Sequence, residues 1–286
     1  VGDAAQLPSV GPGDVFSAVL RSEVVPTVRL TTIFRQQDGS RIVRNAHMIH
    51  NGEHPNLSEN AGDFFRLRRL QAASVAETIV ELCKTRLPEK MNIPPEEIQV
   101  LSPTRKGECG TAELNRRLQA ALNPPGEEKR EKKIGDTVLR VGDRLIQTRN
   151  DYDVLWQAAD GESGTGIYNG EIGILTAIDP DAQTVTVDFD GRRAIYDFDS
   201  LTDLEHAWAL TVHKAQGCEY RAVILALADA SRKLMTRTVL YTAVTRAKDL
   251  LILVGNEYTA FQMIDNQAPT RRYNALRIRL LEARAG

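Results

Sequence analysis

Two short runs, residues 223–227 and 250–254, contain no polar side chain. Strands covered on both faces of a parallel sheet read this way. Helical spacing surrounds them. Residues 14–21 predict a short helix. Ser40 is placed to cap a helix carrying Ile42, Val43, Ala46 and Ile49, with Gly52 as its stop. Ser74 and Glu77 form a capping box ahead of Ile79, Val80, Cys83 and Leu87. Residues 98–101 predict a strand, and Leu114, Leu118 and Leu122 predict a helix after it. Helices alternating with buried strands predict an α/β layer architecture.

The middle of the chain follows another rule. From about residue 135 to 204 short strand patterns at 138–141, 144–148, 172–178, 184–189 and 193–196 are separated by Gly, Asn and Asp, with no helical spacing between them. Val185, Val187 and Phe189 alternate as a half-buried antiparallel strand does. The pattern predicts a small β-barrel inserted into the α/β unit. Ahead of it, Asn123-Pro124-Pro125-Gly126 and the charged run 127–133 read as an exposed loop. At the far end, residues 271–286 hold five arginines against one glutamate. Tyr273, Leu276 and Leu280 form an apolar stripe there, which predicts a helix docked on the domain rather than a free nucleic-acid arm.

Composition narrows the picture. The 286 residues leave room for one or two domains, and 42% hydrophobic with 26% charged residues is the balance of a soluble globular protein. No apolar run approaches the ~20 residues of a membrane-spanning helix. With 36 basic against 38 acidic residues, a nucleic-acid site has to be a local patch. Cys83, Cys109 and Cys218 share no metal or redox spacing, so the chain is expected to be cytoplasmic with reduced thiols and no metal site. The opening Val1-Gly2-Asp3 carries neither Met nor a leader, and is read as a cut inside a longer chain.

Four segments carry candidate chemistry. They are the glycine-rich stretch Gly2-Asp3-Ala4-Ala5-Gln6-Leu7-Pro8-Ser9-Val10-Gly11-Pro12-Gly13, then Thr32-Ile33-Phe34-Arg35-Gln36, then Thr211-Val212-His213-Lys214-Ala215-Gln216-Gly217-Cys218-Glu219, and Leu240-Tyr241-Thr242-Ala243-Val244-Thr245-Arg246-Ala247-Lys248. Each alone has an ordinary reading: a turn, a solvated arginine, a satisfied buried histidine. In the last, helical spacing turns Leu240, Ala243, Val244 and Ala247 to the core and leaves Arg246 pointing elsewhere.

In this order and at these separations the four segments resemble motifs III, IV, V and VI of superfamily 1 helicases, and most of all the RecD-type branch with its Pif- and Dda-like relatives. The resemblance spans essentially the whole chain. It takes in Leu101-Ser102-Pro103-Thr104-Arg105-Lys106-Gly107 with Leu114-Asn115, Gly142-Asp143-Arg144, the stretch from Thr148 to Tyr152, and Tyr168-Asn169-Gly170-Glu171-Ile172-Gly173. It implies a RecA-like P-loop NTPase lobe, called 2A, with a parallel sheet and an inserted SH3-like barrel, called 2B, that helps hold the DNA strand. Residues 1–25 would be the tail of lobe 1A, 26–134 and 206–286 the two parts of 2A, and 135–205 the 2B insert. Asn169-Gly170 is equally readable as a hairpin turn.

The resemblance also implies roles. Gln6 would sense the γ-phosphate, and Arg35 and Arg246 would reach across an inter-lobe cleft to the transferring phosphoryl group. A planar, always-protonated donor suits charge on equatorial oxygens. Gly217, Glu219 and Gln36 fall near the nucleotide, with the glutamate near the ribose. Thr211 and His213 fall on the DNA side, and Thr104 and Arg105 are further phosphate candidates there. ATP and magnesium would be used, but no Gly-Lys and no Asp-Glu dipeptide occurs in this sequence, so neither the phosphate cradle nor the magnesium pair is here. The expectation is therefore the C-terminal motor region of a 5′ to 3′ DNA helicase in recombination or repair, inactive by itself. Its partners would be single-stranded DNA or a duplex junction, the missing lobe 1A and nuclease–helicase subunits. The helicase part of a conjugative relaxase, or a non-catalytic DNA- or partner-binding module, would share these features.

Overall fold

A computed structural model of the chain describes residues 1–8, 11, 13–29, 39–228, 230–267 and 274–285. Asp14 accepts from the Ser17 amide and starts α1 (Val15–Ser22). Ser40 accepts from the Val43 amide to start α2 (Arg41–Asn51), and Gly52 ends it at φ 83°, as the caps predict. A strand that the pattern did not reveal, β1 (Phe64–Arg68), comes next. The following helix corrects the capping box. α3 (Ala72–Glu81) begins ahead of Ser74, Gln71 gives it no side-chain cap, and it runs through a π turn at Leu82–Arg86 into α4 (Leu87–Met91). Adjacent Leu82 and Cys83 are both buried in it. β2 (Ile98–Ser102) and α5 (Thr111–Leu122) complete this half.

The antiparallel part opens with a hairpin of β3 (Glu131–Ile134) and β4 (Thr137–Arg140), so the charged run 127–133 is a loop only in its first half. β5 (Arg144–Gln147), β6 (Asp151–Ala158), β7 (Ser163–Ile167), β8 (Ile172–Asp179), β9 (Thr184–Phe189), β10 (Arg192–Asp197) and β11 (Leu204–His206) then pair in the order β11-β5-β8-β9-β10-β6-β7. Their inner face buries Leu145, Leu175, Val185, Val187, Phe189 and Tyr196. Residues 172–196 are strands and turns throughout. The Asn169-Gly170 turn, with Gly170 at φ 96°, links β7 to β8, which are not neighbours in the sheet. It is a turn but not a hairpin.

The chain re-enters the first layer with β12 (Ala209–Thr211), β13 (Tyr220–Leu227), α6 (Arg237–Val244), β14 (Ala247–Gly255) and α7 (Glu257–Asp265). Among the described residues β1-β14-β13-β2-β12 form a wholly parallel sheet. On β13, Val223, Leu225 and Leu227 join a core with Ile42, Leu240 and Met263. Ala222, Ile224 and Ala226 face the opposite core with Ile79, Leu114 and Leu118. A strand with helices on both faces has to be apolar at every position, which is the unbroken run seen in the sequence. Each fully buried Leu or Ile contributes roughly 1.5–3 kcal/mol. α8 (Leu276–Ala285) packs against α1, with Leu276 and Leu280 half-buried. Tyr273 of the predicted stripe lies outside the described residues.

Buried polar groups join the two sheets. Asp143, wholly inaccessible, accepts from Gln119 Nε2 (2.6 Å), Asn123 Nδ2 (2.8 Å), the Arg140 amide (2.8 Å) and His206 Nε2 (3.0 Å). Asn115 of α5 donates to Ala209 O at 2.9 Å and accepts from its amide at 2.7 Å, fixing the crossing from β11 to β12. Among the described residues no helix is long and apolar enough to cross a membrane.

Candidate functional site

The candidate residues fall on opposite edges of the parallel sheet. β12 ends at the carboxyl edge, where Thr211 is in register with Ser102, and β13 starts at the amino edge, where Tyr220 is in register with Ala247. Residues 212–219 therefore cross the whole layer. Thr211 and His213 stand at the carboxyl edge; Gly217 and Glu219 arrive at the amino edge, beside the start of β14.

Arg246 sits at that amino edge and is only 5% exposed. The helical spacing that turned it away from the core does not apply, because α6 ends at Val244 and Arg246 lies in the turn before β14. Its Nε donates to Thr242 O (3.0 Å), Nη1 to Cys218 O (2.8 Å), and Nη2 to Gln6 Oε1 (2.9 Å) and Thr245 Oγ1 (3.1 Å). Two backbone carbonyls thus hold the guanidinium plane in one orientation, and Nη2 faces Gln6.

Gln6 is oriented in turn. Its Nε2 donates to Asp3 Oδ2 (3.1 Å), so Oε1 is the end left to accept from Arg246. The Asp3 carboxylate also accepts from the Ala5 amide (2.9 Å) and from Tyr241 Oη (3.1 Å) on α6. Burial, with Asp3 beside it, pushes the Tyr241 hydroxyl up to about 12, so it stays a donor at neutral pH. Leu7 N donates to Thr242 Oγ1 (3.0 Å), and Gln216 Nε2 donates to Leu7 O. Asp3, Tyr241 and Thr242 were not singled out from the sequence. All three lie inside the motif segments, but their pairing spans more than 230 residues.

Gly217 takes φ 86°, which favours glycine in the turn leading to Cys218. Glu219 lies 3.9 Å from Lys248 Nζ. Arg35 and Gln36 lie outside the described residues. At the carboxyl edge the loop after β2 folds back on α5: Thr104 O accepts from Thr111 N (3.0 Å) and Arg105 O from Ala112 N (3.2 Å). These carbonyls fill helix-start donors that a phosphate would take in a P-loop. Arg105 Nη2 lies 3.6 Å from Glu205 Oε2, and Lys214 Nζ lies 2.9 Å from the same oxygen. His213 is exposed next to Lys214. Neither Glu205 nor Lys214 was a candidate; isolated charges in a sequence carry no signal of a shared partner.

The structure thus brings Gln6 and Arg246 into contact, sets Gly217 and Glu219 on the same edge, and keeps Thr104, Arg105, Thr211 and His213 on the other. Among the described residues no three His, Cys, Asp or Glu side chains gather as metal ligands. Asp3 is already filled by three donors. These residues do not make a magnesium site.

Comparison with known proteins agrees with this architecture. A family profile described as "ATP-dependent RecD-like DNA helicase SH3 domain" matches residues 114–189, one described as "UvrD-like helicase C-terminal domain" matches 206–254, and one described as "AAA domain" matches 1–69. The ATP-dependent RecD2 DNA helicase of Deinococcus radiodurans is 34% identical over 289 residues, covering 99% of this chain and 35% of the relative. The RecBCD enzyme subunit RecD of Mycolicibacterium smegmatis is 34% identical over 188 residues, covering 66% of this chain and 30% of the relative. The chain spans about a third of the length of these curated relatives. Pif1 helicase from Bacteroides, solved with ADP-AlF3 and ssDNA, superposes with a TM-score of 0.52 at 18% identity, covering 99% of this chain and 66% of that one. The shared fold is an α/β RecA-like lobe with an SH3-like insert.

Proposed function

Since the chain belongs to the RecD-type branch of the superfamily 1 helicases, we propose that it forms the C-terminal motor region of an ATP-dependent helicase that moves 5′ to 3′ along single-stranded DNA. In this reading residues 1–25 are the tail of lobe 1A, 26–134 and 206–286 make lobe 2A, and 135–205 make the 2B insert. ATP binds between this chain and an ATP-binding lobe that supplies the phosphate cradle and the magnesium ligands. Nuclease–helicase subunits are a partner class supported by the relative named as a RecBCD enzyme subunit.

The observation that carries the proposal is the contact of Gln6 with Arg246. In the reaction, fixed positive charge on the transferring phosphoryl group lowers the barrier, and a guanidinium fits its equatorial oxygens. Arg246 is held by backbone carbonyls on one side and presents Nη2 on the other. Gln6 accepts from Nη2 until the γ-phosphate arrives, then hands it over and itself reports the phosphate to the main chain of residues 1–8. Arg35 is the second arginine assigned to the transferring phosphoryl group. Glu219 meets the ribose, and Gln36 and Gly217 line the nucleotide. Thr104, Arg105, Thr211 and His213 hold the strand at the carboxyl edge. Because residues 212–219 cross the layer, a shift at the nucleotide is carried to the strand through one short segment.

The test is steady-state ATP hydrolysis with single-stranded DNA, by the chain alone and by a protein carrying it together with its ATP-binding lobe. Turnover is expected only in the second. Robust DNA-stimulated turnover by the chain alone, abolished by Arg246→Ala, contradicts the proposal.

A further inference from the structure

Glu205 lies on β11, paired with Ile146 of β5, just before the chain enters the parallel sheet at Ala209. One oxygen of its carboxylate, Oε2, holds two cations from different segments. Lys214 Nζ reaches it at 2.9 Å from the turns after β12, and Arg105 Nη2 at 3.6 Å from the loop after β2. Thr211 Oγ1 accepts from the Lys214 amide (3.3 Å), which fixes where the lysine side chain starts. Arg105 is 67% exposed and Glu205 40%, so solvent reaches both pairs and each holds only weakly. An anionic oxygen shared by a guanidinium and an ammonium is also how a nucleic-acid backbone phosphate is gripped.

We propose that Arg105 and Lys214 form a phosphodiester subsite for single-stranded DNA, which the chain keeps filled with Glu205 until a backbone phosphate displaces it. The inference rests on the reading of Thr104, Arg105, Thr211 and His213 as the DNA-facing edge. Exchanging one anion for another leaves both cations satisfied in either state. Asn115 and Asp143 keep β11 tied to the parallel layer in both states, so the exchange moves the Glu205 carboxylate alone.

The test is fluorescence anisotropy of a labelled oligothymidylate with the chain across a salt series, beside melting temperatures. Glu205→Gln keeps the shape and removes the competing charge, and is expected to tighten binding about threefold to tenfold at low salt. Arg105→Ala with Lys214→Ala is expected to weaken binding and to make the slope of log K against log salt shallower by about 0.7, one single-strand phosphate. Adding Glu205→Gln to that double variant should then gain nothing. An equal gain there shows a bulk charge effect and overturns the proposal. So does a lowered melting temperature with unchanged affinity, which makes Glu205 a structural strap. If binding is salt-dependent and weakened by His213→Ala but indifferent to Glu205→Gln, the subsite alone fails. If no variant binds the oligonucleotide, the reading of the edge fails and the subsite falls with it.

Discussion

Arg246 Nη2 donates to Gln6 Oε1 across 2.9 Å, joining residues 240 positions apart in the chain. The bond has a fixed polarity, because Asp3 takes the amide nitrogen of Gln6 and leaves its oxygen for the arginine. Each partner is therefore fixed in orientation, and the proposed function puts the γ-phosphate at this contact.

Asp3→Asn tests that polarity. The variant has nearly the same shape, but its amide can donate where the carboxylate accepted. Whether Gln6 keeps its orientation against the new Nδ2 or turns over and sets its Nε2 against Arg246 Nη2, one of its two contacts becomes donor against donor. We expect faster hydrogen exchange at the Leu7 amide, now bonded to Thr242 Oγ1, by about fivefold for a bond of ~1 kcal/mol. Unchanged exchange means that Asp3 does not orient Gln6.

Asp143 tests the seam between the sheets. Its removal strands donors from Gln119, Asn123, Arg140 and His206 in a site without solvent. Asp143→Ala is expected to lower unfolding stability by about 3–5 kcal/mol, and Asp143→Asn by less, since one acceptor oxygen remains. Urea unfolding with an unchanged slope measures it; a loss under about 1 kcal/mol contradicts the role given to the network.

The cysteines give a pH prediction. Burial pushes the Cys83 thiol up to about 12, and burial with Glu108 nearby pushes Cys109 up to about 11. The folded state therefore holds both as neutral thiols where the unfolded chain, whose thiols titrate near 9.0, begins to ionise. Their stabilising contribution is full below about 9 and is lost as pH rises through 11 to 12. At pH near 8 iodoacetamide should modify half-buried Cys218 and spare both others until denaturant is added. Mass spectrometry reads this, and equal labelling of Cys83 in the folded chain contradicts it.

Much of the fold was legible because its signals are local. The cap and stop of α2 are Ser40 and Gly52, and the parallel strands declare themselves by apolar runs on β13 and β14. What failed to show depends on distant packing. The π turn after Glu81 lies inside an unbroken helical stretch, and β12 has only three residues. β6 mixes buried Val154 with exposed Tyr152 and Leu155, so no clean alternation marks it. Arg246 was legible as a motif residue but not in its direction, since helical periodicity stops with α6 at Val244. The ties from Asp3 to Tyr241 and from Glu205 to Lys214 join residues whose types are ordinary and whose meaning is positional.

The most direct measurement is steady-state ATP turnover by Arg246→Ala and Arg246→Lys, in a protein that carries this chain with its ATP-binding lobe. Both variants also strip a donor from Cys218 O and Thr242 O, so a lowered melting temperature decides nothing and turnover is compared per folded molecule. Asp249, which could have made Arg246 a mere helix-end staple, lies instead 3.4 Å from Arg221 Nε. Arg246→Ala is expected to lower turnover by ~10³ or more with little change in DNA affinity without nucleotide. Arg246→Lys should rescue poorly, because a point charge cannot reproduce the planar fork. Near-normal turnover in folded Arg246→Ala protein contradicts the account.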